Sequence, residues 1–415
     1  MNFLSLEITN RKILNVALAT FGIFPLLPYQ IKGLPVAFIL FVGVYALIKG
    51  SGKHKIDSGF YVLISLFTIS LLSIVYTGSF NIPWGKIETS ISLYLIPLAF
   101  LLIKRIDKLA KFERRTFCVT FIASTFILSL ISIFYYLKQG LFSDSELKVN
   151  SFRQAITELP LIGDHPIYIS IYLGIAFLLG IEFFKHFNNT GKLFLGMSST
   201  LIVFHLLLLS SKGIVLAVLI TTIFYIFKAI EKRSLRLSLT AVIVILFLTA
   251  LYLFPNLERR FREIGRKTTY TELRLQNSSS IRLAVYKCGI QMAMENPILG
   301  YGWGEGNKAL KECYKSKSEE LFTREPNAHN QYLGYLLDGG LPALFTLVFF
   351  IFYFLRSAFI RNDLIMFSLI FFYTIILATE NILVRQSGLI LFIFIFAFFY
   401  YSTEQKSNHN YHLKH

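Results

Sequence analysis

The chain reads as a succession of apolar runs, broken once by a long polar stretch over residues 255–338. Each run is close to the ~20 residues needed to cross a bilayer as a helix. Runs near 12–29, 33–49, 58–78, 87–103, 116–138, 166–184, 193–210, 212–229, 237–254, 340–356, 364–380 and 386–402 predict twelve transmembrane helices, so the fold class is an all-α polytopic bundle. Only Ser210, Ser211 and Lys212 separate the seventh and eighth runs, which predicts a tight hairpin. The pattern divides the chain into 1–138 (five helices), 139–254 (an outer loop and four helices), 255–338 (one large polar loop with short helices), 339–402 (three helices) and 403–415, a polar tail expected to be disordered.

Composition strengthens this reading. Of 415 residues 54% are hydrophobic and 16% charged, against about 25% charged in soluble domains. The 42 Phe and 22 Tyr suit lipid-facing and interfacial surfaces. A net charge of +17 raises nucleic acid as a partner, but the Lys and Arg recur in short clusters between apolar runs instead of forming one basic face. With the N-terminus placed in the cytoplasm, the segments on that side carry 21 Lys and Arg and the short outer segments carry 7. That bias predicts both termini inside and the large polar loop outside. Cys118 lies in an apolar run and reads as packing. Cys288 and Cys313 share the polar loop, and the sequence leaves their pairing open. The first apolar run lacks a small-residue cleavage site and leads straight into another, so it reads as a retained helix.

Orientation brings six residues to one face. His165 precedes the sixth run and Lys212 begins the eighth. Glu380 ends the eleventh and Arg385 begins the twelfth, while Arg282 and His329 lie in the polar loop. Ser278–Ser280 suggest an N-cap with Arg282 in the first turn, and Pro297 ends that helix. Asn327 suggests the cap of a second loop helix, with His329 in its first turn and Gly339–Gly340 ending it. A cation at a helix N-terminus opposes the macrodipole. Repetition of that conflict on one face is resolved by a bound anion, so the set predicts a phosphate or diphosphate pocket. Singly, each has a bland explanation: Lys212 snorkels, His165 fills an interfacial turn, and Arg385 pairs with Glu380. GYGWGEG at 300–306 lacks the flanking strand and helix of a dinucleotide site and reads as a turn. No CxxC, His/Cys cluster or paired carboxylates suggest a metal, and no cofactor is expected.

These stretches resemble the O-antigen ligase and O-antigen polymerase superfamily. The resemblance rests on Arg282 followed by ENPILGYGWG, on AHNQYLGYLLDGGLPALF, on the SSKG turn at 210–213, and on DHPIYISIYL and ENILVRQSG, over roughly residues 160–400. The family usually carries Arg at the position of Lys212, which keeps the charge and loses bidentate recognition. The resemblance implies a GT-C-like helical bundle in the bacterial inner membrane, with its active site facing the periplasm. It implies an inverting, metal-independent glycosyltransferase that moves a glycan from an undecaprenyl-diphosphate carrier to a hydroxyl of lipid A–core or another surface glycoconjugate. His329 and Arg282 would be catalytic; Lys212, Arg282, Arg385 and His165 would hold the diphosphate, and Glu380 would orient Arg385. Joining of lipid-linked repeat units is the nearest alternative reaction. A transporter of the lipid-linked glycan is the alternative of another class, disfavoured because the ionisable groups sit at the membrane boundary and not its midplane.

Overall fold

The computed structural model describes residues 3–49, 56–78, 84–104, 111–138, 149–266 and 277–402. The expected disordered tail, 403–415, lies outside them. In chain order the helices are α1 (Phe3–Gly22), α2 (Leu34–Lys49), α3 (Ser58–Tyr76), α4 (Trp84–Ser90), α5 (Ser92–Ile103), α6 (Lys111–Lys138), α7 (Val149–Thr157), α8 (Pro166–Phe183) and α9 (Asn189–Leu209). They continue with α10 (Lys212–Ala229), α11 (Arg233–Leu253), α12 (Pro255–Gly265), α13 (Ser278–Glu295), α14 (Gly306–Lys317), α15 (Glu319–Arg324), α16 (Gln331–Ile360), α17 (Leu364–Thr379) and α18 (Gln386–Ser402). Among the described residues nine spans are long and apolar enough to cross a membrane, and three shorter apolar segments, Lys12–Gly22, Leu364–Thr379 and Gln386–Ser402, join them. The chain is a multi-pass helical membrane protein.

Equal hydropathy hides opposite environments. In α18 nearly every residue from Ser387 to Tyr400 is buried, and its phenylalanines pack against all sides: Phe394 on Phe21 and Phe117, Phe392 and Phe396 on Phe350. The equally apolar α11 buries only Ala250 and presents the rest as a lipid-facing surface. The central helix is thus the strut on which Arg385 is mounted.

Local chemistry corrects three expected boundaries. The first helix stops at Gly22 instead of 29, because Pro25 opens a short 3-10 turn, Phe24–Leu26. Asn277, not the serine cluster, caps α13: its side-chain carbonyl accepts from Ser279 N at 2.8 Å and Ser280 N at 3.2 Å. Asn330, not Asn327, caps α16 by accepting from Leu333 N at 3.1 Å, so His329 lies outside the helix and not in its first turn.

The loop helix ends at Gly339–Gly340, as expected, and the membrane helix follows directly across a kink. Gly339 and Gly340 leave helical geometry inside α16, with Gly340 at φ +64°. The carbonyls freed there are taken by the GYGWG turn, with Tyr301 N on Leu337 O and Gly302 N on Asp338 O, both at 2.8 Å. A Cβ on Gly340 would stand 2.1 Å from the Ile298 carbonyl, so the close approach requires glycine. The 300–306 stretch is the expected turn, and its job is to brace the kink. Cys288 and Cys313 are disulfide-bonded, joining α13 to α14.

Candidate functional site

At one end of the bundle, four helices begin with polar or cationic residues around Glu380. His165 is the N-cap of α8; its Nδ1 accepts from Ile167 N at 3.3 Å. A neutral imidazole using Nδ1 as acceptor carries its proton on Nε2, so His165 is a hydrogen-bond donor toward its surroundings. Burial, then the Arg153 and Arg385 charges, pushes its pKa down to about 4, which keeps it neutral near pH 7. Arg385 stands in the N-cap position of α18, its carbonyl accepting from Leu389 N at 3.0 Å. Its side chain is exposed and makes no hydrogen bond or ion pair with the described residues.

Glu380 is the acid at the centre. Arg282 Nη2 is ion-paired with its Oε1, and His329 Nδ1 lies 3.7 Å from its Oε2. At that length the histidine contact is electrostatic and not a hydrogen bond. Burial alone would raise the carboxyl, but Arg282 and His329 outweigh it and hold the pKa below the usual range. Glu380 therefore orients Arg282 and His329; the expected partnership with Arg385 is not made. The sequence interval of five residues suggested Arg385, whereas α13 delivers Arg282 from 98 positions away.

His329 is held in an unusual backbone state. Its φ is +45°, which costs a residue with a Cβ about 1–2 kcal/mol. Asn327 Oδ1 accepts from its N–H at 3.0 Å, and Tyr286 donates to its carbonyl at 3.0 Å, so the strained turn is tied on both sides. Such strain concentrates at functional sites. An open cavity of about 420 Å³ is lined by His165, Tyr168, Asn327, His329, Glu380, Asn381 and Arg385.

Lys212 takes another place. It is buried and bonds to Glu263 Oε2 at 3.0 Å, to Ser279 Oγ, and to Arg260 O at 3.4 Å. Like Arg282, it does not itself line the cavity; it anchors the start of α13, and hence Arg282, to α12. Two cations that sequence reasoning missed share this region. Arg153, on α7, donates to Leu209 O at 2.7 Å and Ser211 Oγ at 3.2 Å, clamping the α9–α10 hairpin. Its pKa falls to about 10 through burial, with Arg260 repelling it and Glu380 opposing the fall. Arg260, on α12, is lowered by burial and by Arg282, with Glu263 and Glu380 opposing. Neither sits in a motif, and the only signal was Arg153's place among the few outer-segment cations.

Lys32 and Asp164 were also missed. They form a buried ion pair that includes Tyr172 Oη, 3.0 Å from Lys32 Nζ. Asp164 Oδ1 accepts from His165 N at 2.7 Å, so this network fixes the turn that carries His165. Among the described residues no three His, Cys, Asp or Glu side chains are grouped to hold a metal.

No curated protein matches the chain significantly. A protein-family model described as O-antigen ligase matches residues 197–348, from within α9 to within α16. That span contains Lys212, Arg282 and His329 and stops before Glu380 and Arg385. The matched span is 152 of the 415 residues, and over that stretch the chain is similar to O-antigen ligases.

Proposed function

We propose that the chain is an O-antigen ligase-type glycosyltransferase, moving a glycan from an undecaprenyl-diphosphate carrier to an acceptor hydroxyl of lipid A–core or a similar surface glycoconjugate. The observation that carries this reading is the charge imbalance around Glu380. Among the described residues Arg153, Lys212, Arg260, Arg282 and Arg385 lie in the same region as two carboxylates, Glu380 and Glu263. A diphosphate leaving group would balance this positive charge, and the preorganised cations stabilise it as it develops.

In this mechanism the acceptor oxygen attacks the anomeric carbon with inversion. The bond from that carbon to the diphosphate oxygen breaks, and its electron pair departs on the diphosphate. His329, with Nδ1 toward Glu380, takes the acceptor proton on Nε2. Arg282 and Arg385 face the departing charge, and the Nε2–H of His165 donates a hydrogen bond to a diphosphate oxygen. Lys212 holds the α13 start and adds to the field from behind it. The cations do the work of a metal, so EDTA leaves the rate unchanged; inhibition reversed by Mg²⁺ or Mn²⁺ refutes this.

The cavity opens toward the periplasm of the inner membrane, with both termini in the cytoplasm. The Cys288–Cys313 disulfide supports this orientation, because such bonds persist in oxidising compartments. Purified protein given undecaprenyl-diphosphate-linked glycan and rough lipopolysaccharide in detergent should form product without a membrane gradient; absence of product sinks the transferase reading. Deleting the gene identifies the acceptor. Core without glycan, with polymer left on the carrier, means ligase, whereas core bearing one repeat unit means polymerase.

A further inference from the structure

Beside the cationic cavity lies a second, partly open one of about 790 Å³, bounded by α3, α4, the start of α14 and the kinked part of α16. Its lining has a different chemistry. Lys86 and Asp338 supply one charge of each sign, Asn307 and Asn381 supply amides, Ser73 supplies a hydroxyl, and Trp303 supplies a ring. Trp303 is fixed edge-on against Phe67, with ring centres 6.1 Å apart. Asp338 is held by the Gly306 N–H on its Oδ1 at 3.1 Å. A balanced set of amide, carboxylate and hydroxyl groups beside an aromatic wall suits a neutral ligand rich in hydroxyls better than an anion.

The two cavities share Asn381, which follows Glu380 directly. The Asn381 side-chain oxygen is buried and accepts no hydrogen bond from the described residues. An orphaned buried acceptor costs about 1–3 kcal/mol, so its retention needs a cause. A ligand hydroxyl passing from one cavity to the other would satisfy it.

We propose that the second cavity binds the acceptor glycan, and that Asn381 accepts a hydrogen bond from a sugar hydroxyl at the passage to His329 and Glu380. This rests on the transferase reading for the ligand's identity as acceptor, while its recognition of a sugar does not. The carrier diphosphate would then enter by the cationic cavity and the acceptor by the neutral one, meeting at Glu380.

Trp303 and Trp84 are the two tryptophans, so a Trp84→Phe background isolates the reporter inside the cavity. Titration of the purified full chain with deacylated core oligosaccharide from rough lipopolysaccharide, and separately with released repeat-unit oligosaccharide, should give a saturable change in Trp303 emission with at least one of them. Asn381→Ala, which removes no internal hydrogen bond, and Lys86→Ala should each weaken that binding tenfold or more. Arg282→Ala should leave it intact while abolishing transfer. In the transfer assay Asn381→Ala should raise KM for the acceptor and leave KM for the lipid-linked donor unchanged. A silent Trp303 with both probes overturns the proposal, as does a rise in donor KM instead of acceptor KM. Saturable binding without any transfer would retain the sugar site and discard the transferase reading.

Discussion

The two ends of the helical bundle treat helix N-termini in opposite ways. At the end away from the site, acids begin α3 and α17, although Lys232 and Arg233 begin α11. Asp57 caps α3 by accepting from Phe60 N at 3.0 Å, and takes Lys104 on its other oxygen at 2.7 Å. Asp363 caps α17 through Met366 N at 3.1 Å, and takes Arg114 at 2.7 Å. Each carboxylate there satisfies the helix dipole and a cation at once, and nothing further is needed. At the site end Lys212 is the first residue of α10, Arg385 precedes α18, and Arg282 lies one turn into α13. Dipole and side chain repel; Glu263 answers Lys212 and Glu380 answers Arg282, while Arg385 has no carboxylate partner among the described residues. One end is closed as a structure; on the proposed reading the other is completed by an anion at Arg385.

The sharpest way to break this contrast is to remove Arg282. Arg282→Ala should lower kcat for transfer by about 10²–10³, as loss of one preorganised donor to a developing charge does, while the protein still inserts and purifies. Arg282→Lys should recover only part of that, because an ammonium replaces the planar fork that Glu380 and a diphosphate can both engage. Near-wild-type turnover of the alanine variant in a single-turnover assay would remove Arg282 from the mechanism.

How far this contrast was legible in the sequence depends on the range of the contact involved. The apolar runs are local, and they announced the bundle, the α9–α10 hairpin and the face shared by His165, Arg282, His329 and Arg385. The glycine-rich turn at 300–306 was also local and was found in place. Partnerships across the chain were not legible. Glu380 was assigned to Arg385, its near neighbour, because nothing in a linear pattern says that α13 lies across from α17. Lys212 looked like a ligand because its helix position was right, yet Glu263 and Ser279, brought in from the polar segment, occupy it. Caps were misassigned by small shifts, since Asn277 and Asn330 outcompete neighbouring serine and asparagine only once the local backbone is known. Arg153, Arg260 and the Lys32–Asp164 pair had no motif, and only folding brings them near the site.

A paired substitution tests whether the ends differ in kind. Asp363→Ala removes a cap and takes the carboxylate from the partly buried Arg114, so it should cost about 3 kcal/mol of stability and appear as a lower Tm, with kcat of the folded enzyme within about twofold. Arg385→Ala removes an exposed cation from a repelling group. It should leave Tm unchanged or raised while transfer falls about tenfold, the trade expected where a site is kept unsatisfied for function. Loss of stability in Arg385→Ala with full activity would reverse the assignment of the two ends.

The smallest expected effect is in pH dependence, and it separates the two histidines of the site. Burial and neighbouring arginines hold His165 at about 4, below the ordinary value near 6.5. The unfolded chain therefore takes up the proton first as pH falls. The stability from His165 is fully present above about pH 6.5 and is lost progressively between 6.5 and 4, since folding then requires the imidazole to stay neutral. Glu380, held below the usual carboxyl range, adds stability that disappears only as pH falls through its own lowered pKa. Thermal melts from pH 7 down to pH 4.5 should consequently show a decline that His165→Gln flattens. The acidic limb of the pH–rate profile should survive that substitution, because a histidine that stays neutral down to about pH 4 cannot be the base whose protonation shuts off transfer near neutrality. If His165→Gln abolishes that limb instead, the proton acceptor is His165, and the Glu380–His329 pair is the scaffold.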